Sequence, residues 1–591
     1  MIEMSDESTV SETDKVESNP YAYLDREEFS SERFKIAIKN LPKYYGVNVR
    51  ILELRKLIND KLKLASNKIK FPKRNCPFVF VCFRNETDRE NGIKTINGYK
   101  WKGKILTACE AKPAPDPLVK RRNENDSSEV TTKKFKIDER PQEERLKSST
   151  IPLWDVPYEE QLKIKQEEIK KILIKLGNTL KHDNPLLKKK LQEHMSLNNQ
   201  LPCDLLGIRY SEQQDGYRNK CEFSVGQDEE TTLPTVGFRV SSYAKGGVGV
   251  APVDNLKHIP EEMKVAVKVF QNFVRASDLE VFNPEFQTGN FRQLTVRYAP
   301  KQLMLIVGIH PQNLENERLD QLKKDLVDYF FESDGKEANV TSLYYQKLIK
   351  KTSNEDVSLA EHLHGDTHIE ENILGLKFRV SPEAFFQINT KGAEILYKSA
   401  IELSQPTENS TVLDICCGTG TIGLCFAKVF SVGSFSMNSY ACFQNCKQVL
   451  GIEIIAQAVA DAKENARINS IENCDFFSGK AEEILNSVLY RVKNEDIVAV
   501  VDPPRAGMHQ KAILQLRKAK KIKKLIYISC NPNAAMKNFV DLGRRPSKTL
   551  DGEPFIPVKA VAVDLFPHTK HCELIIVFER WEEEKRDAVS L

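Results

Sequence analysis

The sequence predicts a multidomain α/β protein. A Rossmann-like parallel sheet occupies its C-terminal part, behind a β-rich central domain and a small N-terminal α+β domain. Three observations predict this. The chain has 591 residues, more than one hydrophobic core supports at roughly 100–200 residues per domain. Strand patterns dominate the middle of the chain, whereas strands alternate with helical patterns towards its end. A glycine-punctuated turn joins the first of those late strands to a helix, as in a doubly wound sheet.

Composition narrows the class further. Apolar residues make up 40% and charged residues 29% of the chain, enough to build cores while leaving polar stretches unfolded. The net charge of +4 conceals an acidic start and basic later segments, so any nucleic-acid surface must be local. No apolar run reaches the length of a membrane helix, and the start is acidic where an export or import leader would be basic, so a soluble intracellular protein is expected. The thirteen cysteines are scattered without a CxxC pair. They read as reduced thiols, with Cys442 and Cys446 lacking the partners for a metal site.

Residues 1–30, rich in Ser, Glu and Asp, are expected to be a disordered acidic tail. Residues 31–113 follow a βαββαβ pattern: strand FKIAIKNLP (34–42), an amphipathic segment, strand FVFVCF (78–83), a second helix and a strand near residue 107. This resembles an RNA recognition motif, which stacks bases on aromatics of its two central strands. Phe78 and Phe80 stand at stacking positions, whereas Ala37 occupies the place of another aromatic, so a weak grip on RNA is expected.

Residues 114–150 are Pro-rich and then charged, and read as a linker. Lys120, Arg121 and Arg122, followed by Lys133, Lys134 and Lys136, have the spacing of a bipartite nuclear-import signal, with a solvated charge run as the plain alternative; nucleus, cytosol or both is expected. Residues 151–200 carry Leu162, Ile169 and Leu176 at helical spacing and should pack on the domain. Residues 201–378 are strand-rich, with Tyr217, Arg218, Lys220, Arg239, Arg292 and Arg297 on or beside strands. Such side chains suit phosphate contact and base stacking.

Residues 379–583 form the predicted parallel-sheet domain. Strand TVLDICC (411–417), which carries Asp414, runs into Gly418, Gly420 and Gly423 and a helix from Thr421, a turn that lets a ligand approach backbone N–H groups. Dinucleotides and S-adenosylmethionine both use such turns. Strand QVLGIE (448–453) ends in Glu453, suited to accept hydrogen bonds from ribose hydroxyls. The stretch 429–445 makes that spacing too long and is expected to be a surface insertion. Strand IVAVVDPPR (497–505) delivers Asp502 to the same edge. Arginine, where amine methylation calls for an aromatic after the Asp-Pro-Pro, disfavours an exocyclic-amine target.

The next strand, KLIYISCNP (524–532), ends with Cys530, where chemistry gathers in a parallel sheet. A buried structural thiol is the plain alternative. A thiolate there could add to C6 of a pyrimidine and make C5 nucleophilic towards a sulfonium methyl, after which a base must remove the C5 proton. Arg505 and the helix start after Pro532 are candidates for lowering the thiol pKa. Glu573, in VDLFPHTKHCELIIVFER (563–580), is the candidate base, with His571 its competitor.

Together FFQIN (385–389), VLDICCGTGTIGL (412–424), VDPPRAG (501–507), ISCNP (528–532) and FPHTKHCE (566–573) resemble the RNA uracil-C5 methyltransferases over most of residues 201–581. The resemblance implies an S-adenosylmethionine-dependent methyltransferase domain with Cys530 as nucleophile and Glu573 as base. It places Gln387, Thr421, Glu453 and Asp502 at cofactor contacts, with Asp414 and Gly418 beside them. It further implies transfer RNA as partner, with uridine 54 of the T-loop as target. A monomer is expected, with no metal, iron–sulfur cluster, membrane or DNA. Cys416 stands where many relatives carry an aromatic. Competing readings are C5 methylation of another RNA pyrimidine, such as cytosine, or a noncatalytic RNA-binding or chaperone protein.

Overall fold

The computed structural model describes residues 21, 24, 32–41, 53–70, 78–114, 140–240, 249–349, 359–428, 446–493 and 496–581. The acidic tail apart from Tyr21 and Leu24, both basic clusters of the linker and the segment 429–445 lie outside them. The described residues fall into two compact units, up to residue 114 and from residue 140.

In the N-terminal unit, β1 (Lys35–Lys39), β2 (Lys68–Lys70), β3 (Val79–Cys82) and β6 (Thr107–Glu110) form an antiparallel sheet of order β2-β3-β1-β6. Between β3 and β6 lie helix α1 (Glu86–Ile96) and a small hairpin of β4 (Lys100–Trp101) and β5 (Lys104–Ile105). Alternation along β3 buries Val79 and Val81 with Ile36, Ile38 and Phe83 and turns half-buried Phe80 to the other face. Asn85 caps α1 by accepting the Asp88 N–H at 2.7 Å.

The larger unit contains two large sheets and a two-stranded one. The first, of order β10-β9-β8-β11-β12-β13-β14, comprises β8 (Lys220–Gln227), β9 (Pro234–Arg239), β10 (Val250–Ala251), β11 (Phe291–Ala299), β12 (Gln302–Ile309), β13 (Ser342–Lys347) and β14 (Glu361–Gly365). Helices α5 (Glu261–Ala276) and α6 (Asn316–Glu332) bury Met263, Phe270, Leu322 and Leu326 in the same core as Phe223, Leu294 and Leu305 of its strands. α6 is the crossover that makes β12 and β13 parallel.

The second sheet has eight strands in the order β19-β18-β17-β20-β21-β23-β22-β7. They are β7 (Asp204–Tyr210), β17 (Thr411–Ile415), β18 (Gln448–Glu453), β19 (Cys474–Ser478), β20 (Ile497–Val501), β21 (Ile522–Ser529), β22 (Phe555–Asp564) and β23 (Glu573–Arg580). β17 to β21 are mutually parallel, and β23 inserts antiparallel beside β21. Their apolar runs are buried on both sides, as two-faced parallel strands require. One face is covered by α7 (Thr390–Ser404), α8 (Thr421–Ala427) and α9 (Ala456–Ile468). The other is covered by α3 (Tyr158–Asp183), α4 (Pro185–Leu197), α10 (Ala481–Leu489), α11 (Gln510–Lys518) and α12 (Pro532–Gly543).

Three placements differ from the sequence reading. Gln142–Thr150, inside the expected linker, is helix α2; its only apolar anchor is Leu146, too little to show periodicity. β7, assigned to the central domain, pairs with β22 at the edge of the eight-stranded sheet. The hairpin of β15 (Ile369–Ile373) and β16 (Leu376–Val380) packs Phe378 and Leu376 into the core beneath that sheet.

α3 carries Lys165 on its apolar face, with its side chain wholly buried. Lys165 Nζ donates to Asp564 Oδ1 at 2.6 Å and to the Phe566 carbonyl at 3.0 Å. The other Asp564 oxygen accepts from the Tyr158 hydroxyl at 3.0 Å. Lys165→Met should therefore strand a buried carboxylate and lower stability by about 3–5 kcal/mol. Lys165→Met with Asp564→Asn should recover much of the loss. Urea unfolding of the two variants checks this; an unchanged midpoint for Lys165→Met would show that the pair lends no strength.

Candidate active site

The strand order reverses at β17, which has β18 on one side and β20 on the other, so a crevice opens outside the carboxyl ends of these strands. The glycine turn follows β17, Glu453 ends β18, Asp502 follows β20 and Cys530 follows β21. β23 runs the other way, so its first residue, Glu573, arrives at the same edge. Ser529 pairs with Leu574; the next step of that register sets Cys530 opposite Glu573.

The turn after β17 is built by its glycines. Gly418 and Gly420 hold φ of +53° and +79°, the left-handed region that favours glycine. A Cβ on Gly418 would meet nothing within 4 Å, leaving its backbone open to a ligand. A Cβ on Gly423 would come within 2.9 Å of the Asp414 carboxylate, which accepts the Gly423 N–H at 2.8 Å. Glu453 fixes the turn from the other side, accepting the Gly418 N–H at 3.1 Å and the Ile455 N–H at 2.9 Å. Half-buried Thr421 meets the Tyr397 hydroxyl of α7 at 3.3 Å.

Asp414 Oδ1 and Glu573 Oε2 are buried without a hydrogen-bond partner. Burial pushes the Asp414 and Asp502 carboxyls up to about 7; at Asp414 the neighbouring carboxylates add to the shift, against the Gly423 hydrogen bond. Glu573 lies well above the usual carboxylate range, through burial first and then Asp502, with Arg505 pulling the other way. The half-buried Cys530 thiol is pushed up to about 11 by desolvation, Glu573 and Asp502. Arg505 does lower it, as the sequence suggested, but these effects outweigh it. The open turn, unpartnered acceptors and clustered carboxylates fit a ligand bearing hydroxyls and positive charge, as S-adenosylmethionine does. Among the described residues no group of three or more His, Cys, Asp or Glu side chains could hold a metal ion.

Gln387 is buried on the segment before α7, its carbonyl held by Asn219 at 2.9 Å. Asn219 also donates to Glu371 and Thr390, and Asn389 donates to the Leu565 carbonyl at 2.9 Å. The Leu565 to Cys572 loop is pinned elsewhere too: Gln161 accepts the His568 N–H at 2.8 Å, and Asp215 lies 2.7 Å from His568 Nε2. His568 holds a left-handed φ of +65°. Exposed His571 is not in register with Cys530, and desolvation lowers its pKa.

The nucleic-acid candidates separate. Tyr217 is buried, its hydroxyl donating to the Pro567 carbonyl at 3.0 Å; it is a structural residue and not a base platform. Arg297 is likewise buried, donating to the carbonyls of Pro382 and Ala384. Arg218 donates to the Lys220 carbonyl, and Lys220 pairs with Glu222 at 2.8 Å. Arg239 is half-buried at the end of β9. Phe78 and Phe80 form an edge-to-face pair 5.4 Å apart on the N-terminal sheet, with Lys35 Nζ 4.8 Å from the Phe80 ring. Sequence reasoning missed Asn219, Gln161, Lys165 and Asp564. A lysine on the apolar stripe of Leu162 and Ile169 was the available sign, since a buried cation needs a partner.

The family model described as tRNA (Uracil-5-)-methyltransferase matches residues 286–581. The mouse tRNA (uracil-5-)-methyltransferase homolog A is 42% identical over 95% of this chain and 87% of its own length. The human homolog A is 40% identical over 95% and 85%. A solved structure of the Pyrococcus abyssi tRNA (uracil-54, C5)-methyltransferase, in complex with S-adenosyl-L-homocysteine, superposes with a TM-score of 0.50. It is 22% identical and covers 72% of this chain and 84% of that one.

The raised carboxyls carry a pH prediction. Below about 7 Asp414 and Asp502 are mostly protonated, and a cation favours their charged forms. S-adenosylmethionine should therefore bind more tightly as pH rises from 6 to 8 and release protons at pH 7, whereas the product, lacking the sulfonium charge, should depend less on pH. Calorimetry in buffers of different ionisation enthalpy measures the protons; no release at pH 7 would refute it.

Proposed function

The chain belongs to the tRNA (uracil-5-)-methyltransferase family, and from that premise we propose that it methylates C5 of a uridine in transfer RNA, uridine 54 of the T-loop, using Cys530 and Glu573. The register that sets Cys530 opposite a buried, unpartnered Glu573 carries this reading.

The cofactor is S-adenosylmethionine, which supplies an electrophilic methyl group when bound. Asp414 and Glu453 fix the glycine turn, and Gln387, Gly418, Thr421 and Asp502 would hold the cofactor beside it. Cys530 gives its proton to solvent water on its half-exposed side, and the sulfur bonds to C6 of the uracil. The electron pair released from the C5–C6 double bond makes C5 the nucleophile that accepts the methyl group. Glu573, as carboxylate, then removes the C5 proton; the double bond re-forms, the C6–S bond breaks and the thiolate leaves. Burial makes Glu573 a stronger base than a surface carboxylate. The uracil must leave its stack for the sulfur to reach C6.

We read the N-terminal unit, whose antiparallel sheet has the order β2-β3-β1-β6, as an RNA recognition motif with Phe78 and Phe80 as its base-stacking pair. Replacing both by Ala should weaken RNA binding while leaving single-turnover methylation at saturating RNA intact. Loss of that turnover in a folded variant would contradict the reading.

Nucleophile and base should fail differently. Cys530→Ala should form no denaturant-resistant protein–RNA adduct with any substrate. Glu573→Gln should slow turnover by about 10²- to 10⁴-fold and accumulate a methylated adduct, seen as a shifted, methyl-labelled band on a denaturing gel. An adduct from Cys530→Ala would point to another nucleophile, and normal turnover by Glu573→Gln to another base. Label in a nucleoside other than 5-methyluridine would sink the uracil assignment.

A further inference from the structure

We propose that a cavity between the turn after α2 and the loop before α5 is a second nucleotide site, which takes an unstacked guanine of the RNA substrate away from the target uracil. The inference rests on the reading of the chain as a transfer-RNA-modifying enzyme. The cavity measures about 450 Å³, the size of a small-ligand site. Its walls include Trp154, Lys147, Asp155, Asn255 and Lys257.

Each of these residues does one part of nucleotide recognition. Trp154 is half-buried, packed against the core of the central sheet while still lining the cavity. Its indole offers a rigid surface on which a base can stack. Lys147 Nζ, paired with Glu143, stands over the indole 4.8 Å from its centroid, so an incoming base displaces this cation to take its place on the ring. Lys257, exposed at the rim, suits a phosphate oxygen. Asp155 and Asn255 are also exposed at the rim and supply the polar edge.

Asp155 selects among bases. An ionised carboxylate only accepts hydrogen bonds. Guanine presents N1–H and an N2 amine side by side, two donors for two carboxylate oxygens. Adenine and cytosine pair an amine with an acceptor nitrogen, and uracil flanks its single N–H with carbonyls, each of which would face the negative oxygens.

The cavity is tied to the reaction centre through the backbone. Leu153, the residue before Trp154, donates its N–H to the His568 carbonyl at 2.9 Å. His568 stands in the middle of the pinned loop that delivers Glu573, so a guanine on Trp154 and a uracil on Cys530 would be held against the middle and the far end of one loop. Two points of attachment fix the RNA in a single register.

The test uses the full-length chain with Trp101→Phe and Trp581→Phe, which leaves Trp154 as the one tryptophan of the original three. Millimolar GMP should quench its fluorescence, UMP at the same concentration should quench several-fold less, and transfer RNA should quench at micromolar concentration. Asp155→Asn should abolish the preference for GMP. In the otherwise unaltered chain, Trp154→Ala should raise KM for transfer RNA about tenfold with kcat unchanged, and Trp154→Phe should restore most of the loss. Absence of quenching by GMP, or equal quenching by GMP and UMP, overturns the proposal even if uridine methylation is normal. Quenching by GMP without methylation of RNA supports the site and refutes the uracil reading. Should Trp154→Ala fail to fold, the fluorescence comparison decides alone.

Discussion

Lys165 and Asp564 give up all contact with water on folding, a transfer that costs several kcal/mol per ion unless every lost hydrogen bond is replaced. Here the replacements come from one another, from the Tyr158 hydroxyl, and from the N–H and carbonyl of Phe566. The pair is therefore more than a tether between α3 and the end of β22. It fixes the first turn of the loop whose far end is Glu573, and Gln161, Asn389, Tyr217 and Asp215 fix the rest. Glu573 is thus presented opposite Cys530 by a loop tied down along its length.

The same edge of the sheet shows an opposing constraint. Asp414, Glu453, Asp502 and Glu573 converge where Arg505 is the cation that acts on both Glu573 and Cys530. Burial raises Asp414, Asp502 and Glu573, neighbouring carboxylates add to the shift at Asp414 and Glu573, and the Cys530 thiol is raised with them. A site so poised gains most from a positively charged ligand and least from its neutral product, which favours release after transfer. Rigidity of the loop and strain in the charges are complementary: the first keeps the geometry while the second waits for the ligand.

The glycine turn, Glu453, Asp502, Cys530 and Glu573 were legible because each sits at or beside an end of the apolar run that forms its strand. Residues placed by distant partners were not. Tyr217 reads as an exposed aromatic until Pro567, 350 residues away, accepts its hydroxyl. DLLGIRY looks the same whether it joins the nearer sheet or, as β7, the farther one, since the partner strand sets the choice. Leu146 alone could not announce α2. The segment 429–445 lies outside the described residues, and the expectation for it stands on spacing.

The separation between Lys165 and Asp564 also sets a timetable. The two residues are 399 positions apart, so at roughly 5–20 residues per second the ribosome delivers the acid about 20–80 s after the base. For that interval α3 exists with an unpaired ammonium on its greasy side, and β7 waits without the strand it will join. The nascent chain thus has a built-in period in which its early helices must be kept from wrong partners. The charge that later locks the enzyme makes premature burial of α3 unfavourable until the last strands arrive.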